Sequence, residues 1–204
     1  MTSVRVGSAV TSGTFSLDGE TFDVDNNVWV VGNDDECIVI DAPHDVDQIL
    51  EVVAGRRVLA VACTHAHDDH VRVAPQLAES VDAPILLHAD DLPVWRLTHP
   101  TSEPDGPLVH GGRLAIGDAA LTVMHTPGHA PGAVCLYSPE LRVVFTGDTL
   151  FNGGPGATGR SFSDKDVLLA SIRSTLFALP DDTVVHAGHG DSTTIGVEAE
   201  ALGR

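Results

Sequence analysis

Apolar positions in this chain fall into short runs punctuated by Gly, Pro, Asp and Asn, a pattern that predicts many short strands and few helices. Residues 4–10 and 14–17 read as short extended segments. Residues 27–31 and 37–40 read as β-rich runs joined by the turn chemistry of Gly32-Asn33-Asp34-Asp35. A helix is predicted from Asp45 to Val53, ended by Gly55, before the apolar run 58–62. Helical spacing resumes over 70–80, with Pro75 tolerated only in a first turn. Residues 85–88 form a short strand, 90–97 a helical turn and 100–107 a loop. Residues 113–116 and 120–124 alternate as strands, and 133–137 pairs with 142–145. A helix spans 164–176, residues 184–185 form the last strand, and 194–202 form a terminal helix. Strands alternate with helices in two successive halves. This predicts an α/β fold with two mixed β-sheets back to back and helices outside, a four-layer αββα sandwich in a single domain over 1–204.

Composition narrows the function. The formal charge of −18, with Lys165 the only lysine against ten arginines, repels polyanions and excludes nucleic acid as a partner. No apolar stretch reaches membrane-spanning length, and the N-terminus has no signal core, so the expectation is a cytoplasmic protein acting on a small molecule. Oligomeric state is not legible. Cys37, Cys63 and Cys135 lie in separate apolar runs without a CxxC arrangement and are expected as buried thiols. Scarce lysine beside abundant Ala, Val, Gly and Arg fits a GC-rich genome, and the acidic excess fits salt adaptation equally well.

The chemistry concentrates in Thr64-His65-Ala66-His67-Asp68-Asp69-His70, directly after the apolar run. Alternate residues of an extended chain project to one side, so His65 and His67 can share an ion while Asp69 and His70 turn toward a second. Imidazole with carboxylate suits zinc, iron or manganese. His129, Asp148 and His189 follow at further strand ends, and the seven groups suffice for two divalent ions.

His65-x-His67-x-Asp69-His70, Thr126-Pro127-Gly128-His129, Gly147-Asp148 and Gly188-His189-Gly190 together resemble the metallo-β-lactamase-fold hydrolases, specifically the single-domain glyoxalase II-like branch. The resemblance covers residue 28 to about residue 194. It implies that His65, His67 and His129 hold one ion, that Asp69, His70 and His189 hold the other, and that Asp148 bridges them with a hydroxide. Asp69 and Asp148 are then the catalytic carboxylates, and zinc is the first expectation for both ions. Asp41, where the family shows Asp-x-Gly, would orient a ligand histidine. The implied reaction is hydrolysis of an S-acyl thioester of a low-molecular-weight thiol. The alternatives are a persulfide dioxygenase-like iron enzyme and a lactone or β-lactam hydrolase.

Two departures bear on the substrate. Val71-Arg72-Val73 stands where relatives show glycine, so Arg72 would crowd or line the cleft. The sequence stops at Arg204 without the helical domain that supplies glutathione-binding surface in two-domain relatives, so mycothiol is expected in place of glutathione. Arg160, in the Gly-rich loop after Asp148, is a further expected substrate contact, with an Arg160–Asp164 pair as its structural alternative.

Overall fold

A computed structural model describes residues 3–204. Its first sheet has the order β1-β2-β3-β4-β5-β6, built from β1 (Arg5–Leu17), β2 (Glu20–Gly32), β3 (Glu36–Ile40), β4 (Arg57–Ala62), β5 (Ile85–Leu87) and β6 (Gly106–Pro107). The first three are antiparallel and the rest parallel. The second sheet contains β7 (Arg113–Ile116), β8 (Ala119–His125), β9 (Val134–Ser138), β10 (Val143–Gly147), β13 (Val184–Ala187) and β14 (Thr193–Thr194), in the order β14-β13-β10-β9-β8-β7. Within it β10 and β13 run parallel. A small ribbon, β11 (Leu150–Phe151) with β12 (Gly154–Pro155), follows β10.

Period-two alternation assigns each side chain to a layer. Along β3, Cys37 and Val39 face outward beneath α1 (Val46–Val53), α3 (Ala74–Val81) and α4 (Leu92–Thr98), while Ile38 and Ile40 face the second sheet. Along β10, Val143 and Phe145 face the first sheet, and Val144 faces α5 (Lys165–Ser171) and α6 (Ile195–Ala201). Three buried clusters therefore separate four layers, and the αββα sandwich is the observed architecture. Cys37, Cys63 and Cys135 are free and buried.

Several elements differ from their sequence reading. The two short segments at the start and the polar stretch after them form one long hairpin, β1 with β2, paired from Arg5–Gly32 to Leu17–Glu20. Asp18 and Gly19 both take positive φ, the paired left-handed turn that matches the twist of a two-residue hairpin. The helix expected over 70–80 is broken in two, α2 (Asp68–Val71) and α3, with Pro75 in the first turn of the second. Pro75 has no N–H to give Val71, whose carbonyl instead lies 2.9 Å from His99 Nε2. The helix expected to reach residue 176 loosens after α5 into a wider turn closed by Phe177 N–H on Ile172 O.

Candidate metal centre

Four strand ends converge at one edge of the sandwich. β4 leads into His65, His67, Asp69 and His70; β8 leads into His129; β10 into Asp148; and β13 into His189. The hairpin strand β2 locks the edge from outside. Asn27 N–H donates to Gly188 O at 2.7 Å, its side chain donates to Ala187 O and Gly190 O, and Trp29 Nε1 donates to Ala187 O at 3.0 Å.

The donor atoms gather in two overlapping sets. His65 Nε2 and His129 Nε2 lie 3.1 and 3.0 Å from His67 Nδ1. Across from them, His189 Nε2 is 3.3 Å from Asp69 Oδ2, and His70 Nε2 is 3.8 Å from the same oxygen. Asp148 lies between: Oδ1 is 3.2 Å from His70 Nε2, and Oδ2 is 3.4 Å from His189 Nε2 and 3.6 Å from His129 Nε2. His65, His67 and His129 form one cluster of candidate metal-holding groups, His65, His70 and Asp148 a second, and Asp69, His70 and His189 a third. The geometry therefore brings together all seven residues singled out in the sequence.

Neighbouring groups fix which nitrogen of each ring faces inward. Thr64 Oγ1 donates to Asp41 Oδ2 at 2.8 Å, so at 3.1 Å it can only accept from His65 Nδ1. His70 Nδ1 faces Asp41 Oδ2 at 2.8 Å, His129 Nδ1 faces Ala157 O at 2.8 Å, and His189 Nδ1 faces Asp25 O at 2.7 Å. Each of these partners accepts, so each neutral ring carries its proton on Nδ1 and turns a bare Nε2 lone pair inward. His67 alone presents Nδ1. Two lone pairs then point at one nitrogen, which can donate to one at most. Asp148 Oδ1 and His67 Nε2 are, moreover, buried without a hydrogen bond. Gly188 leaves room for the set, since a Cβ there would overlap Asp148 Oδ1 and His70 Cε1. An arrangement that starves lone pairs of protons fits divalent cations with nitrogen and oxygen preference.

Electrostatics divide the sets. Burial holds His65 well below the usual imidazole range, brings His67 down to about 3, and depresses His129. Burial opposes charge on His70 and His189 too, but Asp148 and Asp69 outweigh it: His70 is raised well above its ordinary value and His189 to about 10. Burial likewise opposes charge on Asp148, and the His70 and His189 rings reverse it, holding the carboxyl well below the carboxylate range.

A cavity of about 260 Å³ opens onto these groups, walled by Phe15, Val24, Phe151 and Ala157 beside His67, Asp69, His129, Asp148 and His189. Arg160 borders a smaller adjoining space with Ser161 and Ser163. Its guanidinium pairs with Glu20 at 2.7 Å and sits over the Phe22 ring, 4.7 Å from its centroid. Asp164 is not its partner; that side chain accepts from Asp166 N–H and Val167 N–H as the N-cap of α5. Arg72 is not among the cavity-lining residues. It pairs with Asp68 and donates to Thr14 O at 2.6 Å, fastening α2 to β1.

Other groups carried no motif in the sequence. Asp91, buried under both ligand loops, accepts from Ala66 N–H at 2.7 Å and Gly132 N–H at 2.5 Å. Burial raises its carboxyl to about 6. Asn26 donates to Asp69 Oδ2 at 3.1 Å and is itself held by His44. His186 faces away from the centre, against Trp29 and Phe145, with Ser192 at 2.8 Å. His125 stacks on His88, and its Nε2 lies 2.9 Å from Pro131 O.

The fold and this edge cluster define a metal-binding α/β sandwich, and comparison with known proteins gives its lineage. The family model of the metallo-beta-lactamase superfamily matches residues 21–189, and the chain belongs to that family. It is similar to a hydroxyacylglutathione hydrolase of Haemophilus influenzae, 34% identical over 171 residues that cover 78% of this chain and 80% of the relative. Among solved structures it is similar to a B3 metallo-beta-lactamase, with TM-score 0.78 and 30% identity over 93% of this chain and 97% of that one. A structure in a di-iron-bound form aligns with TM-score 0.77 and 36% identity over 86% and 93% of the two chains. No helix among the described residues is long and apolar enough to cross a membrane.

Proposed function

We propose that the protein is a metal-dependent hydrolase that cleaves an S-acyl thioester of a low-molecular-weight thiol. The observation that carries this reading is a metal-type donor cluster opening onto a cavity whose other walls are Phe15, Val24, Phe151 and Ala157. Those walls offer no side-chain acid. Expulsion of an amine needs a proton donor, whereas a thiolate leaves unaided, so a thioester suits the cavity better than an amide.

In this reading His65, His67 and His129 hold one divalent ion, Asp69, His70 and His189 hold a second, and Asp148 serves both. Divalent ions held there would supply Lewis acidity, lowering the pKa of water from about 15.7 to roughly 7 and polarising the acyl carbonyl. Asp41, Thr64, Ala157 O and Asp25 O keep the imidazole lone pairs aimed inward throughout. The aromatic walls hold the acyl chain and exclude bulk solvent. Water oxygen bonds to the acyl carbon while Asp69 receives one water proton, the carbon–sulfur bond breaks with its electron pair going to sulfur, and the thiolate takes up the second water proton, so that thiol and carboxylate leave.

Zinc, iron and manganese all suit the donors, and the similar di-iron structure keeps iron in view. The Arg160 guanidinium, in the space adjoining the cavity, is already matched by Glu20. A thiol carrying two carboxylates would find it taken, whereas the uncharged sugar–inositol body of mycothiol needs no cation. The test is a panel of glutathione and mycothiol thioesters, a lactone, a β-lactam and a persulfide. Thioester turnover with mycothiol esters preferred is expected. Turnover of the lactone, β-lactam or persulfide with no thioester cleaved would overturn it.

A further inference from the structure

Asn26 lies in the middle of β2, fully buried, facing Thr11 across the hairpin. Its side-chain nitrogen is 3.1 Å from Asp69 Oδ2 and 3.4 Å from both His70 Nε2 and His189 Nε2. It thus touches the three residues assigned to the second ion and none of those assigned to the first alone. The amide can face only one way. A carboxylate oxygen accepts, so the amide nitrogen must face Asp69 and Oδ1 must face His44, 2.9 Å from His44 Nε2. His44 Nε2 is therefore the donor, and its buried Nδ1 bears an unpartnered lone pair. An unmet acceptor at that spot is less costly than an unmet N–H. Strand β1 is shaped to admit the ring, because a Cβ on Gly13 would overlap His44 Nδ1 and Cγ.

We propose that His44 and Asn26 form a positioning pair for the second ion: His44 fixes the amide, and the amide fixes Asp69 between His70 and His189. This rests on the two-ion ligand assignment above. The chain runs from Gly13 to His44 to Asn26 and reaches the reacting region most closely at Asp69, with His70 Nε2 and His189 Nε2 each 3.4 Å from the same amide nitrogen. Its effect is selective. Removing the amide frees Asp69 to rotate and loosens the second set, while His65 and His129 keep their own supports at Thr64 and Ala157.

The experiment titrates the metal-stripped full chain with zinc alone against a chromophoric chelator, resolving both binding steps. Wild type should take up two ions. In Asn26→Ala the second step should weaken by about 10–100-fold and the first by no more than roughly two-fold. His44→Leu should reproduce the selective loss, and His44→Gln, which keeps an N–H donor toward Asn26, should restore it. Should Asn26→Ala fail to fold by circular dichroism, the His44→Leu and His44→Gln pair decides. Two ions in wild type with both steps unchanged in Asn26→Ala and His44→Leu would overturn the pairing alone. Equal weakening of both steps, without rescue by His44→Gln, would also overturn it. A wild type that takes up only one ion would instead overturn the two-ion assignment itself.

Discussion

The Asp41 carboxylate joins two histidines of the candidate metal centre through one side chain: Oδ2 lies 2.8 Å from His70 Nδ1 and accepts from Thr64 Oγ1, the hydroxyl that steadies His65. Its Oδ1 takes the Thr64 N–H at 2.7 Å, and the residue holds a left-handed φ of 62. Asn tolerates that backbone conformation nearly as well as Asp, so Asp41→Asn tests the carboxylate rather than the turn. With the amide oxygen on Thr64 N–H, the amide NH2 faces His70 Nδ1 and drives the ring proton onto Nε2, against the ion. Metal affinity should fall by about 10–100-fold with the melting temperature nearly unchanged. Chelator competition and thermal unfolding on one preparation check it; unaltered affinity would remove Asp41 from the site.

The two ion sites should differ in their response to acid. His189, raised to about 10, and His70, raised well above its ordinary value, must shed protons to bind an ion, whereas His67 at about 3, His65 and His129 are already neutral. Lowering pH from about 8 to 5.5 should therefore weaken the second ion far more than the first. Calorimetry in two buffers of different ionisation enthalpy should find proton release only with the second ion. In the metal-free protein the sign is opposite: the raised His189 pKa contributes stability that is complete below pH of about 6.5 and lost as pH rises through about 10.

Gly188 packs directly against Asp148 and His70. An alanine Cβ would overlap Asp148 Oδ1 and His70 Cε1. Gly188→Ala should weaken metal binding by about 100-fold or more, a loss at the upper end for displaced supporting groups. Gly190→Ala is the control. Nothing lies near its Cβ, and only its φ of 68 is unfavourable, so it should cost about 1–2 kcal/mol of stability and leave metal content intact.

Asp91 supports both ligand loops from below, and Asp91→Ala leaves the Ala66 and Gly132 N–H groups buried and unpaired. At pH near 5 this should cost on the order of 2–4 kcal/mol, lowering Tm by roughly 5–15 °C. The Asp91 carboxyl is raised in the fold to about 6 from 3.8. Its stabilising contribution is therefore complete below 3.8 and shrinks as pH rises through about 6, and the gap between wild type and variant should narrow over that range. A gap independent of pH would contradict the buried-carboxyl account.

Most of the architecture could be read from short continuous apolar runs, because strands such as β3 and β10 are buried on both faces and their bounding turns carry Gly, Pro and Asp. The β1–β2 hairpin could not. Its outer half is two exposed strands over the site, and Thr21-Phe22-Asp23-Val24-Asp25 shows polarity where a strand reading looks for burial. The seven site residues were legible because ligand chemistry is confined to few residue types at strand ends. Asn26, His44 and Asp91 were not, since each acts through a contact spanning 18 or more positions in sequence. Arg160 and Arg72 show the same limit: their charges were visible, but their partners Glu20 and Thr14 depend on where the hairpin folds back.

In the proposed reaction, thioester cleavage depends on ions held by both residue sets and joined through Asp148. Elemental analysis of metal-replete protein, with thioester turnover followed on the same samples of wild type and Asp148→Ala, tests it most directly. Wild type should hold close to two divalent ions per chain, and the variant should lose metal and turnover together. Less than about a tenth of an equivalent in wild type, or thioester turnover that survives both chelation and Asp148→Ala, would contradict it.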